Sequence, residues 1–269
     1  MPGETVASLR FAHGGGRTFL QRQHVPYPFH ITRPHALDSG HPPVATLILQ
    51  SASGGLYQGD RLALDISAGV GARAWVTSQA ATVVHRVAGA SIGVRTHLDA
   101  ASEACLVLAT DPYILFPHTA LTVQTDVTIA PGAIVILAEG FACHDPAATH
   151  RPFTRLAIGC RVIQDGRVLV DETGAIDGEA FLGPNSPLGR YRAMGTVMLL
   201  AAIQLDAAPI EPTLGALGVL GGITSLPNGA GLCVRLLAEA GGALARGLQA
   251  VVAAGFAAAT NRPVVSLRR

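Results

Sequence analysis

Lysine is absent from this 269-residue sequence, so all 19 of its basic side chains are arginines. A phosphate-binding loop of the Gly-Lys-Ser/Thr type is therefore excluded. The net charge is only +1, and no segment concentrates arginine, which gives no indication of a nucleic-acid partner. Charged residues make up 14% of the chain and hydrophobic ones 49%. This composition predicts either sheets buried on both faces or an apolar surface that meets a partner.

Aromatic residues are scarce as well, at 5% of the chain, with Trp75 as the single tryptophan. Few rings are thus available as stacking platforms for a sugar, and no HExxH motif is present. Paired carboxylates of the glycosidase kind could still come from Asp60, Glu139, Asp171 and Glu172. A β-helix carbohydrate-active enzyme therefore stays open as an alternative, but we predict that the protein is not an enzyme.

Cysteine is limited to Cys105, Cys143, Cys160 and Cys233, and no two of them form a CxxC pair. Zinc ribbons and thioredoxin-like redox motifs are therefore excluded. The first residues lack the apolar core of a signal peptide, and no stretch of about 18 residues is uninterruptedly apolar. We expect a soluble, cytoplasmic protein without a membrane partner, whose thiols stay reduced as small buried hydrophobes.

Two segments are rich in side chains that bind metals. The proline-broken residues 25–43 and their flank carry four histidines at irregular spacings, which do not indicate a metal cluster: His24, His30, His35 and His41. Residues 138–152, which we expect to be a loop, carry four further potential ligands: Cys143, His144, Asp145 and His150. That set could hold a first-row metal, although an ordinary surface loop is the favoured interpretation.

Short alternating or apolar segments separated by glycine turns predict strands along most of the chain. Two hairpins are expected, one joining residues 5–12 to 17–24 and one turning at Asp165-Gly166. Helical periods are missing between the strands, which argues against βαβ winding and for a sandwich or a β-helix. The tail after residue 194 is predicted as β-α-β-α, with helices over residues 210–220 and 243–258.

The chain is organised around residues 47–86. Gly54-Gly55 interrupts an apolar strand, Leu56 follows, and Gly59-Asp60-Arg61-Leu62 begins the next strand. Glycines at these positions indicate backbone that a Cβ would obstruct, so Asp60 is expected at a fixed corner. One strand later come Gly71-Ala72 and a threonine-containing segment that ends at His85-Arg86.

This ordered series resembles the urease accessory protein family UreD, also called UreH. The hairpin around Asp165-Gly166, whose return strand closes on Asp171, matches the same family. The resemblance implies a mainly β fold, a β-helix-like stack of short strands with a small C-terminal α/β portion that carries about two helices. It implies one domain over residues 1–269, with a β body over 1–194 and the tail over 195–269 packed on it.

UreD proteins are non-enzymatic scaffolds, so the resemblance implies partners and a cargo. The expected partners are the urease apoprotein, UreF and, through UreF, the GTPase UreG, with a homodimer within the complex as a further option. The expected cargo is Ni²⁺, which passes through an internal tunnel to the urease active site, and no cofactor is expected to bind tightly. A β-rich protein-binding module unrelated to urease remains the other alternative.

Alignment of the motifs assigns transient Ni²⁺ contacts to Asp60, Glu139 and Asp171. The alternative for these acids is structural: Asp60 would accept hydrogen bonds from turn amides, and Asp171 and Glu172 would pair with Arg155 or Arg167. The chain departs from the family where Val84 and His85 replace aromatic residues and where Glu172 replaces a basic one.

Overall fold

The computed structural model describes residues 3–36, 43–148, 150–201 and 210–261, and most of them lie in strands. The strands are β1 (Thr5–Gly14), β2 (Arg17–His24), β3 (Phe29–Ile31), β4 (His35–Ala36), β5 (Ala45–Ser51), β6 (Arg61–Ala68), β7 (Arg73–Ser78), β8 (Thr82–Val84), β9 (Ile92–Ala100), β10 (Cys105–Ala109), β11 (Tyr113–Leu115), β12 (Ala120–Ile129), β13 (Ile134–Cys143), β14 (Arg155–Gln164), β15 (Arg167–Asp177), β16 (Ala193–Leu200), β17 (Val219–Ser225) and β18 (Gly231–Ala238). The helices are α1 (Gly178–Leu182), α2 (Ile210–Ala216) and α3 (Gly241–Thr260).

The strands form two large sheets. Sheet A has the order β15-β14-β12-β9-β6-β1-β2, and sheet B has the order β17-β18-β16-β13-β10-β7-β5-β3. From β5 to β14 the chain passes back and forth between the sheets, and neighbours within each sheet are parallel. Each pair of successive strands therefore adds one rung to both sheets. This solenoid-like stack confirms the predicted β-helix-like architecture.

Both predicted hairpins are present. The β1–β2 pair is antiparallel and turns at Gly15 and Gly16, whose φ angles are +57° and +75°. The β14–β15 pair turns at Asp165 and Gly166, with φ angles of +50° and +75°. Positive φ at both central residues is the geometry for which Asp-Gly is favoured in two-residue hairpin turns.

The double glycine at residues 54–55 shapes the corner between β5 and β6. The Leu56 N–H donates to the Val83 carbonyl at 2.8 Å, and the Leu56 carbonyl accepts from the His85 N–H at 2.9 Å. Gly55 passes so close to the same carbonyl that a Cβ would lie 2.6 Å from it. His85 stacks on Tyr57 with ring centroids 4.4 Å apart, so the imidazole sits in an aromatic cluster.

The predicted loop over residues 138–152 is wrong in its first part, because β13 continues to Cys143. The outer side of this extension is covered by α3, and a Cβ on Gly140 would lie 2.8 Å from Leu248 Cδ1. Its backbone pairs with β16, with Glu139 opposite Thr196. This segment is therefore a strand, because it is buried and its backbone is paired on both sides, although its polar side chains favoured a loop.

The C-terminal part extends sheet B. Strand β16 pairs antiparallel with β13, so hydrogen bonding is continuous across residue 194. The helix predicted over residues 210–220 ends at Ala216, and Gly218 with φ +69° leads into β17, which the sequence interpretation missed. The tail thus has two α-helices but one more strand than predicted.

The long helix α3 packs on the outer face of sheet B. Its buried side chains are Leu244, Leu248, Val251, Val252 and Phe256. By length and composition α3 is, among the described residues, the one helix that could cross a membrane, but these apolar side chains face the sheet. Sheet B is consequently covered on both faces: sheet A packs on its inner face and α3 on its outer face. This accounts for part of the high apolar content.

Candidate functional site

Two cavities lie between the facing sides of sheets A and B. Cavity 1, of about 280 Å³, is lined by the early coils, from Phe29 and Leu49 to Thr96, with Asp111 on its wall. Cavity 2, of about 700 Å³, is lined by the later strands β13 to β18. Most of the lining surface of both is apolar, with few charged groups.

Glu139 lies where the two cavities adjoin. Among the described residues, Leu137 and Glu139 line both of them. The Glu139 carboxyl lies deep in the protein, and the part of the residue that stays accessible faces the cavities. Its Oε1 accepts a hydrogen bond of 2.5 Å from the fully buried Thr125 hydroxyl of β12. One carboxyl group, supported from the opposite sheet, thus stands between the two spaces.

Burial raises the pKa values of two groups in this region, Glu139 and Tyr113. Desolvation raises the pKa of Glu139, the Thr125 hydrogen bond lowers it to a smaller extent, and the charge of Glu172 raises it further. The pKa of Tyr113, which lines cavity 1, is also raised by burial and then by the nearby Glu139. Both shifts act in the same direction, towards the neutral form of each group.

Cavity 2 has a second carboxylate, Glu172 of β15. It forms an ion pair with Arg235 of β18, and this contact joins the edge region of sheet A to that of sheet B. The hydrogen bond that the Arg235 guanidinium donates to the Glu172 carboxylate raises the pKa of Arg235, so the guanidinium stays charged. Both residues line cavity 2 and remain partly exposed, which places this pair towards the solvent side of the cavity.

Asp60 lies outside the lining of both cavities. Its Oδ2 accepts a hydrogen bond of 2.8 Å from the Tyr57 N–H, and its own N–H donates to the Tyr57 carbonyl at 3.0 Å. Gly59, with φ +85°, completes this turn before β6. Asp60 therefore lies at a fixed corner, as expected. Its carboxylate accepts a hydrogen bond from a turn amide, which is the structural role given above as the alternative to nickel contact.

Asp171 points away from the cavities. It faces the outer surface of sheet A, more than half exposed, with Oδ2 3.9 Å from Arg161 Nε. Neither of the partners predicted for it is the one observed: Arg155 pairs with Asp177 at 2.9 Å, and Arg167 Nη2 donates to Asn228 Oδ1 at 3.3 Å. Of the three acids assigned by motif, the structure brings only Glu139 to the cavities, and contact of any of them with nickel stays a prediction.

Cys143 is the last residue of β13, and backbone hydrogen bonds tie down the histidines that follow it. The His150 N–H donates to Asp145 Oδ2 at 2.8 Å, and the His144 N–H donates to the Leu115 carbonyl at 3.0 Å. Burial raises the pKa of the half-buried Cys143 to about 12, so its thiol stays protonated. Among the residues described, no three His, Cys, Asp or Glu side chains are arranged to hold a metal ion, and His41 lies outside them.

A serine at residue 91 falls in a GxSxG spacing over residues 89–93, which is the spacing of a nucleophile elbow. Ser91 does not join a strand to a helix, because it directly precedes β9, and its carbonyl accepts from the Arg61 guanidinium. The context that this motif requires is therefore missing here.

Sequence reasoning passed over three contributors to the cavities: Thr125, Arg235 and the inward direction of Glu172. Side chains alternate along β15 from the buried Val170, so Glu172 faces inward and Asp171 outward; the sequence does not show this direction, because Leu169 next to Val170 is buried as well. Nothing local indicates Thr125 or Arg235, because each bonds to a partner on the opposite sheet.

The chain is similar to known proteins over nearly its whole length. The family described as UreD urease accessory protein matches residues 4–269. The chain is 52% identical over 250 residues to urease accessory protein UreD 1 of Methylorubrum populi, covering 91% of this chain and 85% of that protein. UreD 1 of Methylorubrum extorquens is 50% identical, with the same coverage of 91% and 85%. UreD 1 of Bradyrhizobium sp. BTAi1 is 40% identical, covering 93% and 90%. The chain therefore belongs to the UreD family of urease accessory proteins, which supports a role in urease maturation.

Proposed function

We propose that this protein is a scaffold for urease maturation that binds the urease apoprotein and UreF, and through UreF the GTPase UreG. Its cargo is Ni²⁺, which moves between the two sheets from cavity 1 to cavity 2. The observation that carries this proposal is the meeting of the cavities at Glu139. The family match supports the assignment to urease maturation and an accessory, non-catalytic role.

The lining chemistry suits passage rather than storage. Ni²⁺ binds imidazole and thiolate donors strongly, and a closed set of such ligands would retain the ion. The cavities instead offer single carboxyl groups, Asp111 in cavity 1, Glu139 at the junction and Glu172 in cavity 2. An ion that keeps most of its water shell could exchange one water for each carboxylate in turn. Asp60 and Asp171 are outside this path.

The proposed compartment is the cytoplasm. All four cysteines are free thiols, and such thiols persist where the cell keeps cysteine reduced. Three of the four are buried, which matches their expected use as small hydrophobes.

The decisive test closes cavity 2 without disturbing the fold. Gly222 of β17 lines cavity 2 opposite Arg235, and a Cβ built on it meets no atom within 4 Å. We expect Gly222→Trp to co-purify normally with UreF and urease apoprotein, while nickel-dependent urease activation falls by about tenfold or more. Gly222→Ala is the matched control and should activate urease as wild type does.

The outcomes separate the two halves of the proposal. Full activation by Gly222→Trp with an intact complex would contradict passage through cavity 2. Failure of the wild-type chain to form any complex with UreF and urease apoprotein would contradict the scaffold itself.

A further inference from the structure

Three sulfur-containing side chains, two of them on the wall of cavity 2, lie in one buried cluster. Cys160 of β14 and Met198 of β16 both line this cavity, and the Cys160 thiol lies 3.6 Å from Met198 Sδ. Cys233 of β18 is directly opposite Met198 in the β16–β18 register, so their side chains share the inner face of sheet B. Residues opposed in this way have Cβ atoms about 4.5–5.5 Å apart. The thiols thus approach one thioether from the two sheets.

We propose that Cys160, Met198 and Cys233 form a binding site for one soft monovalent d¹⁰ cation, Cu(I) or its redox-stable analogue Ag(I). Thiolate and thioether are the ligand types that select Cu(I) over harder ions. Metal–sulfur bonds of about 2.3 Å, as in zinc thiolates, place two sulfurs on one ion no more than about 4.6 Å apart. The separation of 3.6 Å between Cys160 and Met198 meets that condition.

The buried, apolar surroundings favour a singly charged ion whose bonds to sulfur are strong enough to displace a thiol proton. The three residues belong to one buried apolar cluster, together with Val162 and Leu137. Burial raises the pKa values of both thiols, with smaller raising contributions on Cys160 from Glu139, Glu172 and Asp126. Binding therefore replaces a thiol proton: an S–H bond breaks, an S–metal bond forms, and the proton leaves to solvent. The metal's oxidation state does not change.

Such a site distinguishes ions by softness. Ni²⁺ gains little from two protonated thiols and a thioether, whereas Ag(I) and Cu(I) displace thiol protons readily. A soft ion bound at Cys160 occupies the wall of cavity 2, which Glu139 also lines. The binding claim itself concerns the isolated chain and does not depend on the proposed nickel path.

The test is titration of the purified, reduced full chain with Ag(I) in chloride-free buffer, with Cu(I) measured anaerobically against bathocuproine disulfonate. We expect one tight equivalent in the wild type. Met198→Leu, which keeps the volume of the side chain, should weaken binding by about tenfold, equal to 1.4 kcal/mol. Cys160→Ser should weaken it further. The control Cys143→Ser changes a half-buried thiol outside the cluster and should leave this equivalent intact.

Met198→Leu keeps the test valid if Cys160→Ser folds poorly, because it alters only the thioether. Unchanged affinity in Met198→Leu, or loss of the tight equivalent in Cys143→Ser, would overturn the proposed site. The outcome for nickel-dependent urease activation has no bearing on either result.

Discussion

Glu172 and Arg235 form an ion pair that joins sheet A to sheet B at cavity 2. Glu172 belongs to β15, the edge strand of sheet A, and Arg235 belongs to β18, next to the edge strand of sheet B. Their side chains are 38% and 59% exposed, respectively, so the pair is screened by solvent. Its main consequence is positional, because it holds the Glu172 carboxylate at the solvent side of cavity 2.

Breaking this pair should cost little stability. We expect Arg235→Gln to lower the free energy of unfolding by less than about 1 kcal/mol, since partly exposed ion pairs contribute little. Urea denaturation at low and high salt is the measurement, and the difference from wild type should shrink at high salt. The charge-reversed double variant Glu172→Arg/Arg235→Glu should recover most of the loss. A loss of several kcal/mol would show that Arg235 carries buried packing as well.

The sequence predicted those parts of the molecule that local chemistry decides. Asp165-Gly166 indicated its hairpin turn, and Gly54-Gly55 indicated a corner that is closed by backbone contact. The direction of side chains in β15 was harder, because Leu169 and Val170 are both buried beside a register shift at Val162. Because of this shift, the alternation of inward and outward side chains at one end of β15 does not continue in phase to the other end.

Contacts between the two sheets could not be predicted from local sequence patterns. The alternation of strands between two sheets depends on pairing from one coil to the next, and the Thr125–Glu139 hydrogen bond depends on how the two sheets face each other. The cavities arise from the same non-local packing. Motif alignment therefore found Glu139 but could not tell that Asp60 and Asp171 face away from it.

Glu139 should make stability fall as pH rises. Its pKa is raised in the folded state above the ordinary value of 4.5, so the folded chain holds a proton that the unfolded chain releases. Stability is then unaffected well below pH 4.5 and declines as pH rises from there towards the folded pKa. We expect Glu139→Gln to be about neutral at pH 4 and stabilising at pH 7.5, by about 1.4 kcal/mol for each unit of the shift. Urea denaturation at both pH values checks this, and equal effects at both would contradict it.

Gly55 should tolerate no side chain. Its φ is +144°, and a Cβ would lie 2.6 Å from the Val83 carbonyl. We expect Gly55→Ala to destabilise by more than about 3 kcal/mol or to prevent soluble expression, because both strain and a backbone clash arise. Gly54, with φ +69° and no such clash, is the control, and Gly54→Ala should cost about 1–2 kcal/mol. Thermal denaturation of the two variants compares them, and similar losses would refute the role of the close contact.

The acids outside the cavities offer the sharpest check on the nickel path. Asp60→Ala removes the acceptor for the Tyr57 N–H and should cost about 1 kcal/mol of stability, whereas Asp60→Asn keeps an acceptor oxygen and should cost less. Asp171→Asn affects one exposed ion pair and should change stability by less than about 0.5 kcal/mol. We expect all three variants to form the complex and to support urease activation within about twofold of wild type, equivalent to 0.4 kcal/mol. Activation lost in Asp60→Asn or Asp171→Asn, with the complex intact, would mean that nickel travels over the outside of sheet A rather than past Glu139.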